Sequence, residues 1–198
     1  MIIKVCRNPY DEEKPLYKTA TLNLEKGITC LVGRNGTGKT TLLQQIESHC
    51  RKNKIKCIQY DNYHDGGQNA LSKYGYFGDF NSLATSFMSS EGQRIIYNFG
   101  QNLLGNLKAN LKEHKQVVLL IDAIDSGLDL ANIEEIKYIL SLIIEDHSDK
   151  EIYIVITANT YALCEGLRCV NAKDFKEIVF NDYLQYKKFI TRGVKYER

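Results

Sequence analysis

Two rhythms of apolar residues succeed one another along the chain. Met1 to Cys6 and Leu16 to Leu24 carry the two-residue period of strands, the second setting Ala20, Leu22 and Leu24 against Thr19, Thr21 and Asn23. A Glu25-Lys26-Gly27 turn leads into an apolar strand, Ile28 to Val32. A glycine-rich loop follows, and then a helical period from Lys39 to about Cys50 with Leu42, Leu43 and Ile46 on one face. Ile55 to Tyr60 reads as a further strand. Residues 61–87, rich in Gly, Asn, Asp and Tyr, hold no period and are predicted to be irregular surface. Ser90 to Glu113 is predicted as one amphipathic helix, with Ile95, Ile96, Phe99, Leu103, Leu107 and Leu111 at spacings of three and four. Val117 to Ile121 is a buried strand, Ile133 to Glu145 a helix, Ile152 to Thr157 a strand, and Asp182 to Arg192 a final helix.

Strands alternating with helices predict an α/β fold: a mostly parallel sheet covered by helices on both faces. At 198 residues, with only Pro9 and Pro15 and no linker-like stretch, the chain is expected to form a single domain over 1–198. A net charge of +2 forces no polyanionic partner. No apolar run approaches the roughly 20 residues of a membrane span, and Lys4 and Arg7 interrupt the only early apolar run, so a cytoplasmic location is expected. The six cysteines, Cys6, Cys30, Cys50, Cys57, Cys164 and Cys169, are scattered without a C-x-x-C pair. They are read as reduced core thiols, and the lack of ligand spacing argues against structural zinc.

The chemistry starts at Gly33-Arg34-Asn35-Gly36-Thr37-Gly38-Lys39-Thr40, which matches G-x-x-x-x-G-K-[ST] between an apolar strand and a helix. Glycines there let several backbone N–H groups converge on one anion, and the helix adds its positive end. Lys39 is expected to reach the β and γ phosphates of ATP, and Thr40 to ligate Mg²⁺. A second anchor is Val117 to Asp122, an apolar strand ending in a carboxylate at the sheet's carboxyl edge, where Asp122 would hold Mg²⁺.

With these residues in place the chain resembles the nucleotide-binding domains of ATP-binding cassette proteins. Gly33 to Thr41 is similar to their G-x-N-G-x-G-K-[ST]-T loop, Ser126-Gly127-Leu128-Asp129 to their S-G/A-L-D loop, and Ser89-Ser90-Glu91-Gly92-Gln93 to the L-S-G-G-Q signature at a helix start. The resemblance spans residues 28 to 160 and implies a P-loop NTPase fold. It assigns ATP to Asn35, Gly36, Thr37, Gly38, Lys39, Thr40 and Thr41. It further implies a head-to-tail homodimer glued by ATP, with Ser90, Gly92 and Gln93 acting on the partner's nucleotide and Asp129 helping to join the two sites. Taken without the family, Ser90 and Gln93 form an S-x-x-Q capping box with accessible amides, a plain helix cap or an anion site.

Three positions depart from the family pattern. Its general base is a Glu directly after the magnesium Asp, and that position is Ala123 here, so very slow hydrolysis is expected. Natural loss and a substitution made to trap bound ATP both fit. Asp125 is the nearest other carboxylate, read as capping the turn before the next helix. Asn159 stands where the switch histidine is expected, able to donate to a γ-phosphate or to serve as a turn residue. For the metal-contacting glutamine, Gln59 is the candidate, with Asp61 and Gln68 as rivals. Tyr10 lies about where an adenine-stacking aromatic is expected.

Only about thirty residues separate Gln59 from Ser90, and no heptads appear, so the resemblance is to a bare cassette head with minimal helical insertion. An unidentified protein partner is expected, with Asp61 to Gly67 as docking surface. His64 with Asp61 and Asp65 offers a less favoured metal reading. The basic residues Lys187, Lys188, Arg192, Lys195 and Arg198, interleaved with Phe189 and Tyr196, leave nucleic acid open as a partner beside a solvated tail. Two other functions stay open: a non-hydrolysing ATP-dependent switch and a small P-loop kinase.

Overall fold

The computed structural model describes residues 1–10, 13–61 and 91–192. Strand β1 (Ile2–Lys4) pairs antiparallel with β2 (Thr21–Asn23) as a two-stranded ribbon. The main sheet contains β3 (Gly27–Val32), β4 (Lys56–Asp61), β5 (Gln116–Asp122), β6 (Glu151–Thr157), β7 (Arg168–Asn171) and β8 (Glu177–Ile178) in the order β4-β5-β6-β3-β7-β8. The first five are mutually parallel, and only β8 runs antiparallel at the edge. Helices are α1 (Lys39–Lys52), α2 (Glu91–Asn98), α3 (Gly105–Glu113), α4 (Leu130–Asp146), α5 (Tyr161–Cys164) and α6 (Tyr183–Thr191). No helix among the described residues is long and apolar enough to cross a membrane.

The period-two pattern sorts the core into two layers. On β5, Val117, Leu119 and Ile121 face one layer with α2, α3, α4 and α5, while Val118 and Leu120 face the other with α1 and the ribbon. β6 splits likewise, Ile152, Ile154 and Ile156 against Tyr153 and Val155. Strands buried on both faces read as continuous apolar runs, as the sequence has them. The expected α/β class is therefore the one observed.

Two elements differ from expectation. The strand read over Leu16 to Leu24 is only β2, because the chain before it bends inward. Tyr17 is fully buried, its hydroxyl donating to Gly38 O at 2.7 Å, and Lys18 N bonds Lys173 O at 2.7 Å instead of a ribbon partner. The single helix read over Ser90 to Glu113 is broken by a π-helical segment, Phe99–Leu104, between α2 and α3. Its buried residues, Ile95, Phe99, Leu103, Leu107 and Leu111, recur strictly every four positions. In an α-helix each such step turns the apolar face by about 40°. A wider i→i+5 turn rotates it back toward the core. α5, β7 and β8 have no counterpart in the sequence reading, being too short to carry a period.

Candidate functional site

The phosphate loop, Asp122, Asn159 and Asp61 sit at the carboxyl ends of parallel strands. The loop after β3 carries Gly33 to Gly38, β5 ends at Asp122, β6 is followed by Asn159, and β4 ends at Asp61, paired in register with Asp122. Together with Tyr10 and Leu16 from the segment before β2 they wall a cleft of about 590 Å³, a size ordinary for small-molecule sites.

The loop holds itself open through its own short contacts. Thr37 bonds Arg34 O from both its N–H (3.2 Å) and its hydroxyl (2.8 Å). Gly36 and Gly38 take φ of +79° and +86°, left-handed values that strain any residue with a Cβ. At Gly38 a Cβ would also lie 2.6 Å from Leu16 Cδ2 and 2.9 Å from the Tyr17 hydroxyl. Gly38 is the N-cap of α1 and offers no side-chain acceptor, so nothing of its own covers the first-turn amides. Lys39, 9% exposed, donates from Nζ to Gly33 O at 2.8 Å. Burial pulls its ammonium below the usual lysine range, and the nearby Asp122 and Asp125 carboxylates oppose that shift. Thr40 is exposed toward the cleft it lines with Asn35 and Thr41.

On the opposite wall the carboxylates are cross-braced. Thr157, buried on β6, donates from its hydroxyl to Asp122 Oδ1 and accepts from Ala123 N at 2.9 Å. Asp125, 4% exposed, accepts from Asn159 N (2.8 Å), Asn159 Nδ2 (3.2 Å), Thr160 N (2.7 Å) and Thr160 Oγ1 (2.9 Å). Asp125 thus fastens the loop after β6, where it was expected to cap the turn before the next helix; the helix itself has its own cap. That cap is Asp129, which accepts from Asn132 N at 2.8 Å. Ala123 lines the cleft in a left-handed conformation (φ +51°), so a longer side chain there would start from the cleft wall. Asn159 also lines the cleft, its amide tethered by Asp125.

Other predicted residues fall in different places. Gln59 pairs with Leu120, two positions short of the strand end, and is not among the residues lining the cleft. Its rival Asp61 is the β4 residue that reaches the site, because the strand runs on to that position. Tyr10, 59% exposed, shares a hydrogen bond of 2.7 Å between its hydroxyl and Thr41 Oγ1. Gly92 and Gln93 lie in the first turn of α2, away from the cleft lining. A Cβ on Gly92 would sit 2.7 Å from Asn132 Nδ2, so this turn packs on the start of α4. Ser89, Ser90, His64, Asp65, Gln68, Lys195, Tyr196 and Arg198 lie outside the described residues. Leu16 and Thr157 were missed by sequence reasoning. Thr157 could have been suspected as the hydroxyl at the carboxyl end of the strand, next to the loop that carries Asn159.

The family model described as AAA domain matches residues 22–163. That segment, more than half of the chain, runs from β2 through most of α5 and includes every cleft residue named above except Tyr10 and Leu16. No curated protein matches the chain.

Proposed function

The chain belongs to the AAA-domain family of P-loop NTPases, and on that premise we propose that it is a cassette-type ATPase head. In this reading it binds Mg²⁺-ATP in the cleft, closes head-to-tail on a second copy through that ATP, and turns it over very slowly. The observation that carries the reading is one cleft lined by the phosphate loop, Asp122, Ala123 and Asn159, while Gly92 and Gln93 stand outside it. In this reading the signature turn, which does not line its own chain's cleft, serves the nucleotide of a second copy.

The residues present fit the ligands. The uncapped amides of α1 and the loop N–H groups suit phosphate oxygens. Lys39 supplies the positive charge, exchanging its carbonyl partner Gly33 for phosphate oxygens. Thr40 and Asp122, both in the cleft wall, would hold Mg²⁺. The cation's contribution is to neutralise charge on the phosphate oxygens. Thr157 fixes the Asp122 carboxylate by occupying Oδ1. Tyr10 and Leu16 offer an aromatic and an apolar surface at the edge suited to a base.

Slow turnover follows from what stands beside the γ-phosphate position. The Ala123 methyl group can neither orient a water nor take its proton. Asp125 does not replace it, since its oxygens already accept four hydrogen bonds. The same two facts favour a second reading, an ATP-dependent interaction switch that needs no hydrolysis. An unidentified protein partner suits either reading, and the basic residues of α6 supply no decisive argument for nucleic acid.

Light scattering with and without Mg²⁺-ATP, on the chain and its Ser90→Arg variant, tests the assembly. Doubling of mass with ATP that the variant abolishes is the expected result. A chain that binds ATP and stays monomeric overturns the sandwich and leaves only the nucleotide-binding part.

A further inference from the structure

Cys30, Cys164 and Cys169 are far apart in sequence, yet their sulfur atoms all lie within 4.8 Å of one another. The topology brings them together. Cys30 on β3 and Cys169 on β7 are direct partners in the parallel register, on the same face of the sheet, and Cys164 ends α5 above them. All three are buried and none is in a disulfide. Spacing along the chain argues against a metal site only when ligands come from one local motif, and here three separate elements supply one each.

The geometry is close to that of a metal centre. Three sulfurs bound at about 2.3 Å around one cation in a plane stand about 4.0 Å apart. Cys30 Sγ and Cys164 Sγ are 3.9 Å apart. No other His, Cys, Asp or Glu side chain among the described residues joins the cluster, so the donor set is three-coordinate. Thiolate ligands select soft cations. A site walled by apolar core favours the cation that three-coordination satisfies.

One further observation bears on access. A cleft of about 340 Å³ is lined by Cys164 and Cys169 together with the ion pair Arg168–Glu177 and Phe180, so only these residues' own atoms separate the cluster from an opening in the surface.

We propose that Cys30, Cys164 and Cys169 form a trigonal three-thiolate site for a thiophilic d¹⁰ cation, specifically a monovalent one of the cuprous kind. Binding exchanges the thiol protons, which pass to solvent, for the cation, with no change of oxidation state. The occupied site would fasten α5, and so the Thr160 that Asp125 holds, to the strand that leads into the phosphate loop. In the metal-free chain Cys164 donates from its thiol to Thr160 O at 3.3 Å, a bond that ends when binding removes that proton and the sulfur turns to the cation.

The test is anaerobic titration of the fully reduced full-length chain with Cu(I) against a competing chelator, with Cd(II) in a parallel arm. One equivalent of Cu(I) producing a thiolate-to-metal charge-transfer band is the expected result. Cys169→Ala and Cys164→Ala should weaken uptake by at least about tenfold, while the double variant Cys50→Ser, Cys57→Ser, the other thiol pair within hydrogen-bonding reach, leaves it unchanged. X-ray absorption on the unaltered loaded chain counts sulfur neighbours without any variant having to fold. Three support the site, and two overturn it in favour of the Cys50–Cys57 pair. Tighter uptake of Cd(II) than Cu(I) overturns the monovalent assignment, and uptake of neither overturns the site.

Discussion

The loop after β3 and the two loops after β5 and β6 meet across one cleft but are built in opposite ways. The first is mainly local: Thr37 bonds Arg34 and Lys39 bonds Gly33 within eight residues, and the Tyr17 hydroxyl adds one longer-range bond to Gly38 O. The others are braced across 34 or 35 positions, through Ala123 to Thr157 and Asp125 to Asn159 and Thr160. A local grip rests on its own glycines and the helix behind it, with Tyr17 as an outside support. A braced wall keeps its shape whatever side chain stands at one position, so it stays ordered even with a methyl group at Ala123. Binding and turnover should therefore be separable by mutation, the first residing in the loop and the second in the wall.

The sharpest way to break that division is Ala123→Glu. The backbone is already left-handed at Ala123 and both residues carry a Cβ, so no new strain arises there. Turnover at saturating Mg²⁺-ATP, followed as phosphate release, should rise about 10²–10⁴-fold, with nucleotide affinity nearly unchanged. No gain would leave the switch reading in place. Lys39→Ala should do the reverse. Affinity measured by calorimetry should fall about 10–100-fold through loss of a charged hydrogen bond. The nucleotide-free melting temperature should hold or rise, since a buried ammonium has been removed.

The contrast also explains what the sequence could and could not reveal. The phosphate loop was legible because its residues are contiguous, and the parallel strands because Val117 to Ile121 and Ile152 to Thr157 are buried on both faces. Asp125 was misassigned because its partners lie 34 and 35 residues away, a separation no local cap rule reaches. Gln59 was preferred to Asp61 because the family resemblance calls for a glutamine there, whereas the strand carries Asp61 to the cleft. The π-helical break hides in a strict four-residue spacing that still looks helical. The three thiols meet only through the β3–β7 register, and β7 is four residues long.

Asp125→Asn attacks the brace itself. The oxygen Oδ2 accepts three of the four hydrogen bonds, and an amide nitrogen in its place would turn a donor toward donors. The expected loss is about 2–3 kcal/mol of unfolding free energy, read by urea denaturation. An unchanged midpoint would mean that the wall is held by its strands alone and that the two halves of the cleft are less different than their hydrogen bonds indicate.

The smallest effect tests the loop by pH. Burial lowers the Lys39 pKa in the free protein, whereas bound phosphate favours the charged ammonium and raises it again. The complex therefore holds the proton more tightly than the free chain, and affinity must fall as pH rises through the lowered free-state value. The decline should begin at a lower pH than an ordinary lysine would give. Lys39→Arg separates this from any other titration. Its guanidinium stays charged throughout, so its affinity, though weaker, should lose the alkaline decline. If the decline persists in Lys39→Arg, the titrating group lies in the braced wall, and the charge that senses nucleotide is not confined to the loop.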